Sequence, residues 1–409
     1  MNIAIFEDDG YERLLPLTWL RACYELRCGC DRLIDKVRRH GGPHMARVFL
    51  RDSLREVCAA RLSLDPLDPN APLCLLNARA LLTGPVEFPP PGQAWTHNGE
   101  LVAAGVAADE LEHLSAEFFQ DAEALGEWLA GRRTSIAPEP VQLVAYPWHV
   151  ILANEAELRR QCRNGPGQLG QVYPGAHLVQ PGQIHIGRGA RVKPGAVLDA
   201  ESGPIWIGND VLIEPNAVLQ GPCFVGPGSV VRPGAAIRPG TSIGPVCRVG
   251  GEIEGSIIHG HSNKQHDGFL GHSYVGEWVN LGADTVTSDL KNTYGTIRVS
   301  LNGVPVESGQ HFVGSIIGDH SKTGIGTILP TGCVICVAAN VFTQGAVPKF
   351  VPSFGWLTDN GLTAYRVDKA LQIARTVVGR RDVELTPAEE QLLHHVATAA
   401  RKTESAGWP

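Results

Sequence analysis

Six histidines, His259, His261, His266, His272, His311 and His320, crowd one stretch of the chain. An imidazole with an unperturbed pKa of about 6.5 is mostly neutral at pH 7, so each could take a proton from a nucleophile. Lys264, Lys291 and Lys322 are interleaved with them, and an ammonium meets a phosphate as a point charge. The segment 285–310 is polar and includes Thr287-Ser-Asp-Leu-Lys-Asn-Thr-Tyr294. A loop of that length is uncommon without a use. It reads as a flap over a binding site, one that a neighbouring subunit could supply. The plain alternatives are corner histidines facing water and an excursion between repeats.

A repeat must position these residues. Every sixth residue from Ile207 is aliphatic: Ile207, Ile213, Leu219, Val225, Val231, Ile237, Ile243 and Val249. Pro-Gly or Pro-Asn pairs fill the turns at Pro215-Asn216, Pro227-Gly228, Pro233-Gly234 and Pro239-Gly240. The same period holds in Ile186, Val192 and Leu198. It resumes at Phe269, Val275 and Leu281, and again at Leu329, Ile335 and Val341. A helix repeats near 3.6 residues and a strand at 2, so neither accounts for six. One hexad is a short strand plus a tight turn, and three hexads make a triangular coil. Stacked coils then pair strand over strand around an aliphatic core. The period predicts a parallel β-helix over residues 169–347, and it gives the 47 glycines and 29 prolines their use.

The flanks differ. Residues 1–147 mix strand-like runs (Ile3–Phe6, Arg47–Leu50, Leu73–Leu76) with helix-like ones at Cys30–Arg39 and Asp109–Ala130. That alternation predicts an α/β domain. Residues 148–168 read as a linker, with a helix over 148–163. Past Pro348 two helices are expected, over 362–380 and 387–402, the second opened by Thr386-Pro387. The net charge of −7 argues against a dedicated nucleic-acid binder. The longest apolar stretch, Gly332 to Phe342, is far short of the roughly 20 residues of a membrane span. The opening Met1–Phe6 runs into Glu7-Asp8-Asp9 with no basic start, so a cytoplasmic location is expected. Ten cysteines are too sparse for a disulfide scaffold, and the lone pair Cys333 and Cys336 lacks a second pair for zinc.

The segment His266-Asp-Gly-Phe-Leu-Gly-His-Ser-Tyr-Val-Gly-Glu-Trp-Val-Asn-Leu-Gly-Ala-Asp-Thr285 resembles the acetyltransferase motif of GlmU, the bifunctional enzyme of UDP-N-acetylglucosamine synthesis. The resemblance implies a left-handed β-helix, a homotrimer with sites between prisms, and acetyl-CoA as co-substrate. It places His266 on the catalytic base, Asn280 and Arg238 on substrate-binding residues, and Ser315 near the thioester. Phe269 falls where GlmU has tyrosine, and Asp284 where it has glycine. The lysine expected between Glu254 and Ser256 is missing, which leaves its charge to Lys264 or Lys291. Acetyl transfer to an amine needs a base, an oxyanion donor and a slot for the thioester. Small residues at Gly314-Ser315, Thr323-Gly324 and Ala338-Ala339 would let the pantetheine arm lie on the coils, with Lys322 or Lys349 at its phosphates.

Further stretches, Leu14–Thr18, Ser262–Lys264, Ser288–Asn292 and Gly318–Gly324, are similar to a GlmU-like group of sugar nucleotidyltransferases. Such enzymes open with a glycine-rich loop whose N–H groups cradle phosphates. Here Arg13 and Thr18 match the end of that loop, and Arg21 or Arg27 would bind phosphate. The glycine-rich start is absent, however, and Asn77 stands where a metal-binding aspartate is usual. Activity there would need Mg2+, with Asp8 or Asp9 supplying the carboxylate. Three functions therefore compete: an acyltransferase acting on an amino-sugar phosphate or sugar nucleotide, a sugar-1-phosphate nucleotidyltransferase, and a non-catalytic β-helix scaffold.

Overall fold

A computed structural model describes every residue except Pro43, Arg163, Asn164, Pro166 and Pro409. The chain divides into two compact units. The first holds Met1–Leu14, Thr18–Leu26 and Asp31–Tyr146; the second holds Leu15–Leu17, Arg27–Cys30 and the chain from Pro147 onward.

The first unit is built on a six-stranded mixed sheet. Its strands are β1 (Asn2–Phe6), β2 (His44–Phe49), β3 (Leu73–Asn77), β4 (Gln93–His97), β5 (Glu100–Val106) and β6 (Arg133–Ile136). They lie in the order β2-β1-β3-β5-β4-β6. β1 pairs in parallel with β2 and β3, and all five of its residues are buried, as suits a central parallel strand. Phe6 and Phe49 pack on Phe119 from a helical segment covering one face. The helix expected over Asp109–Ala130 is instead three short ones, Ala108–Leu111, Ala116–Gln120 and Ala122–Ala130. Ser115 and Asp121 accept backbone N–H bonds as N-caps and restart the helix each time.

The second unit begins with the helix Pro147–Gln161 and continues as a parallel solenoid of about ten turns. The helix was expected to reach Arg163, which lies outside the described residues. All eight hexad residues from Ile207 to Val249 are fully buried in the prism core. One face stacks nine strands from Ile184–Ile186 to Phe350–Val351 in parallel register. The frame shifts after Val249: Leu270, not Phe269, points inward, and the Phe269 ring is left half-exposed outside. The coils also run past residue 347, through Gly355–Thr358, where the antiparallel strand Gly361–Ala364 covers the open edge. The helical tail accordingly starts at Val367, with helices Val367–Gly379 and Pro387–Thr403.

The corners of the prism require left-handed backbone. Gly234, Gly251, Gly268 and Gly326 supply it at one corner, and Asp284 takes the same role there at φ 56°. A second corner uses Gly240, Gly255 and Gly332, but His272 at φ 41°. The polar excursion after Thr285 is not a free flap. It folds into a hairpin, Arg298–Leu301 against Val304–Glu307, that packs on Cys333–Ile335, with Gly303 against Gly407. Buried Val299 and Leu301 seat it on its own chain.

Candidate active site

In an open α/β sheet, ligands bind beyond the carboxyl ends of the strands where the order reverses. Here that crevice lies between β1 and β3, and the chain fills it. Asp8, just past β1, accepts from Arg79 Nε at 2.8 Å, from Arg79 Nη2, and from Asn77 Nδ2 at 2.8 Å. Arg79 also donates to the Val144 carbonyl and lies 3.6 Å from Glu100, which pairs with Arg13. A Cβ at Gly10 would strike the Arg79 guanidinium, so that glycine makes room for the plug. A second buried pair, Glu7–Arg51 at 3.1 Å, ties Cys23 N–H and the Thr18 carbonyl into the same turn. Thr18 and Arg21 are themselves buried. Asn77 is thus a member of an internal network, and both Asp8 oxygens are engaged in it. Asp9 is exposed, its carboxyl held above the usual range by partial desolvation and by Asp8 beside it. Among the described residues no three His, Cys, Asp or Glu side chains are set to hold a metal. The residues present do not fit Mg2+. An open cavity of about 400 Å3 in this unit lies along β2, between Phe49, Arg55, Cys58, Leu62 and Glu117.

Arg27 belongs to the second unit, not to a phosphate site in the first. Its Nε donates to the His259 carbonyl and its backbone N–H to Tyr274 Oη, which also meets His259 Nδ1 at 2.9 Å. Several other expected ligands are likewise engaged. Lys264 points into the prism and donates to the carbonyls of Gly250, His266 and Asp267. Burial pulls its ammonium down to about 8. Lys291 bonds to the Thr296 carbonyl of its own loop, and Lys349 to Thr331. Ser315 is fully buried, and Thr323 bonds inside the prism to Thr285 and the Gly282 N–H, so neither faces a groove for acetyl-CoA. Both lie on inward or corner positions that the aliphatic columns also use. Lys322 is half-buried between Asn280 and Asn340, its Nζ on the His320 carbonyl, and burial pulls it too down to about 8.

The outer surface keeps a smaller set. Arg238 is exposed and held by Glu252 at 3.0 Å and Gln220 at 2.8 Å. Asn280 is exposed beside Asn263. His266 stands exposed at a corner, and its imidazole has no hydrogen-bond partner among the described residues. His261 stacks on Trp278 at 4.4 Å and is pushed down in pKa by burial. His311 meets the Tyr294 carbonyl at 2.9 Å.

His272 is placed differently. Its Nδ1 lies 2.8 Å from Asp289 Oδ2, and Phe312 packs beside the ring at 5.2 Å. Asp289 sits seventeen residues on, one coil above, at the same corner. The Cδ2–Nε2 edge of the ring covers Gly255, where a Cβ would come within 2.9 Å and 3.0 Å of those atoms. The missing lysine therefore has a physical counterpart, since the imidazole occupies the space a side chain at 255 would need. Asp289, Phe312 and Gly255 escaped the sequence reading. The coil length was the available signal, because residues one coil apart are neighbours in a solenoid.

The Sugar nucleotidyl transferase family profile matches residues 3–164, and the Bacterial transferase hexapeptide (six repeats) profile matches residues 204–239. The bifunctional protein GlmU of Methanococcus maripaludis is 37% identical over 185 residues, covering 44% of this chain and 38% of that protein. Over these segments the chain is similar in sequence to GlmU proteins. GlmU of Methanococcus aeolicus is 38% identical over the same coverage. The bifunctional sugar-1-phosphate nucleotidylyltransferase/acetyltransferase of Sulfurisphaera tokodaii is 30% identical over 100 residues, 24% of this chain and 25% of that protein. The chain thus spans well under half the length of these curated relatives. A solved acetyltransferase domain of PglB from Neisseria gonorrhoeae, in complex with acetyl coenzyme A, covers 89% of this chain and 98% of that one. Its identity of 12% and TM-score of 0.18 are too low to bear on the assignment.

Proposed function

We propose that this GlmU-like chain is an acyltransferase that moves an acetyl group from acetyl-CoA to the amine of an amino-sugar phosphate or sugar nucleotide. One observation carries the reading. The segment 266–285, whose pattern resembles the GlmU acetyltransferase motif, wraps a solenoid turn with imidazole groups open to water. Arg238 and Asn280 are exposed and Phe269 half-exposed on the outside of the prism, with Arg238 two turns from Phe269 and Asn280 on another face. Nucleotidyl transfer is favoured by the family match over residues 3–164, but the plugged crevice between β1 and β3 weighs against it. The homotrimer rests on the resemblance to GlmU, and the exposed apolar side chains Phe312, Ile325 and Ile328 are available to such a contact. No helix among the described residues is long and apolar enough to cross a membrane. A cytoplasmic location follows from the use of acetyl-CoA. The test is incubation with acetyl-CoA and a panel of amino-sugar phosphates, following free thiol. Release that depends on one amine is expected; none with any member overturns the reading.

A further inference from the structure

We propose that Cys30 and Cys162 form a reversible redox clasp, a disulfide made by exchange with a low-molecular-weight disulfide. The inference is independent of the acyl-transfer reading. Three observations point to this pair. First, the two Sγ atoms lie 3.1 Å apart although 132 residues separate them in the chain, and that gap is only roughly 1 Å more than an S–S bond. Both belong to the second unit, where Cys30 ends the segment Arg27–Cys30 and Cys162 follows the helix Pro147–Gln161. Second, the backbone around them is already pinned. Gly29 N–H donates to Asn154 Oδ1 at 2.6 Å and Cys30 N–H to Gln161 Oε1 at 2.7 Å, both acceptors on that helix. Asn154 Nδ2 donates in turn to the Gly240 carbonyl at 2.7 Å, and Ser242 Oγ to the Gly29 carbonyl at 2.7 Å. Third, Cys30 is the one cysteine of ten that is not buried, which makes it the thiol a soluble disulfide meets first. Cys162 is buried with Leu158 and Phe224. The pair with CxxC spacing, Cys333 and Cys336, is buried on both sides, and burial pushes the Cys333 thiol up to about 12.

The exchange balances. The Cys30 thiolate attacks one sulfur of the small disulfide, forming a mixed disulfide and expelling one thiolate. The Cys162 thiolate then attacks the Cys30 sulfur and expels the second. Two protein thiols are oxidised, one disulfide is reduced to two thiols, and the two protein protons pass to the expelled thiolates. The bond closes residues 30–162 into a loop that contains the whole stretch Asp31–Tyr146 of the first unit. Unfolding that stretch inside a closed loop gains less chain entropy, and the effect grows with loop length. The clasp thus links the stability of the first unit to the thiol–disulfide balance around it, open where glutathione is reduced and closed where it is oxidised.

The experiment uses the full chain, reduced, freed of reductant and equilibrated with mixtures of oxidised and reduced glutathione. Intact mass, peptide mapping without reduction and thermal unfolding are read for the wild type and for Cys30→Ser. In oxidising mixtures the wild type should lose two hydrogens in mass and yield a cross-linked peptide pair holding Cys30 and Cys162. Its first unit should unfold about 5 °C higher or more than under reduction, and excess dithiothreitol should reverse both changes. Cys30→Ser should keep the midpoint of the reduced wild type and show neither the cross-link nor the rise. Mapping of the wild type decides the pairing whatever the variant does. A glutathione adduct that stays on Cys30 without passing to Cys162 overturns the clasp. So does a bond from Cys30 to another cysteine, such as the neighbouring Cys223, or a wild type whose mass changes in no mixture. A Cys30–Cys162 bond that leaves the midpoint unmoved overturns the link to the stability of the first unit.

Discussion

In the first unit Asp8 gives both carboxylate oxygens to Arg79 and shares one with Asn77, and the three side chains are almost wholly buried. In the second, Asp289 gives one oxygen to His272, and both side chains keep part of their surface, 14% and 27%. The first arrangement satisfies every charge internally and closes the crevice that the sheet topology would offer a nucleotide. The second orients an imidazole that keeps part of its surface. A buried carboxylate is a structural tie when its partner is spent on it, and a functional group when its partner has a second atom to offer. The same contrast separates Lys264, clamped by three carbonyls, from Arg238 on the outer face.

Breaking the Asp8 network should have the largest effect. Arg79→Met leaves a carboxylate buried without its cation, which typically costs about 3–5 kcal/mol. Denaturant unfolding of the first unit should show that loss, while Asp8→Asn with Arg79→Met should recover much of it. If Arg79→Met is neutral, the plug is not structural and the comparison fails. The pH response of the second unit sharpens it next. Lys264 titrates near 8 in the folded protein and near 10.5 when unfolded, so the folded state binds fewer protons between those values. Its contribution to stability is therefore lowest below pH 8 and rises as pH goes from 8 to 10.5. The rise is at most about 3 kcal/mol at about 1.4 kcal/mol per pKa unit. Lys264→Met should remove that share of the slope, and an unchanged slope would contradict the buried ammonium. Smaller still, Gly255→Ala should push the His272 ring from its place and strain the corner at φ 55°. About a tenfold loss of acetyl transfer is expected, near 1.4 kcal/mol in the barrier, with the thermal midpoint moved by a few degrees. Full activity in that variant would mean that acetyl transfer does not need the ring held over Gly255.

The solenoid was legible because its signal is periodic: one aliphatic residue per hexad, each of eight fully buried. The α/β class of the first unit was legible for a similar reason, since apolar runs such as Ile3–Phe6 are the mark of buried parallel strands. What the residues alone did not disclose was direction. Lys264, Thr323 and Ser315 read as ligands by type, yet each lies on an inward or corner position of the prism. Phe269, counted as an inward residue, faces out because the steps after Val249 are shorter than six. Arg79 and Arg51 carry no motif, and only the folded sheet brings them under Asp8 and Glu7. Asp289 was within the polar run singled out for a flap, but its partner becomes visible only once the chain is cut into coils of seventeen or so residues.

The central claim is that chemistry resides on the solenoid and not in the crevice of the first unit. The most direct test assays both reactions on one preparation. Free thiol is followed with acetyl-CoA and amino-sugar phosphates, and pyrophosphate is followed with UTP, a sugar 1-phosphate and Mg2+. The account predicts amine-dependent thiol release with little or no pyrophosphate. Rapid Mg2+-dependent pyrophosphate release without thiol release would contradict it.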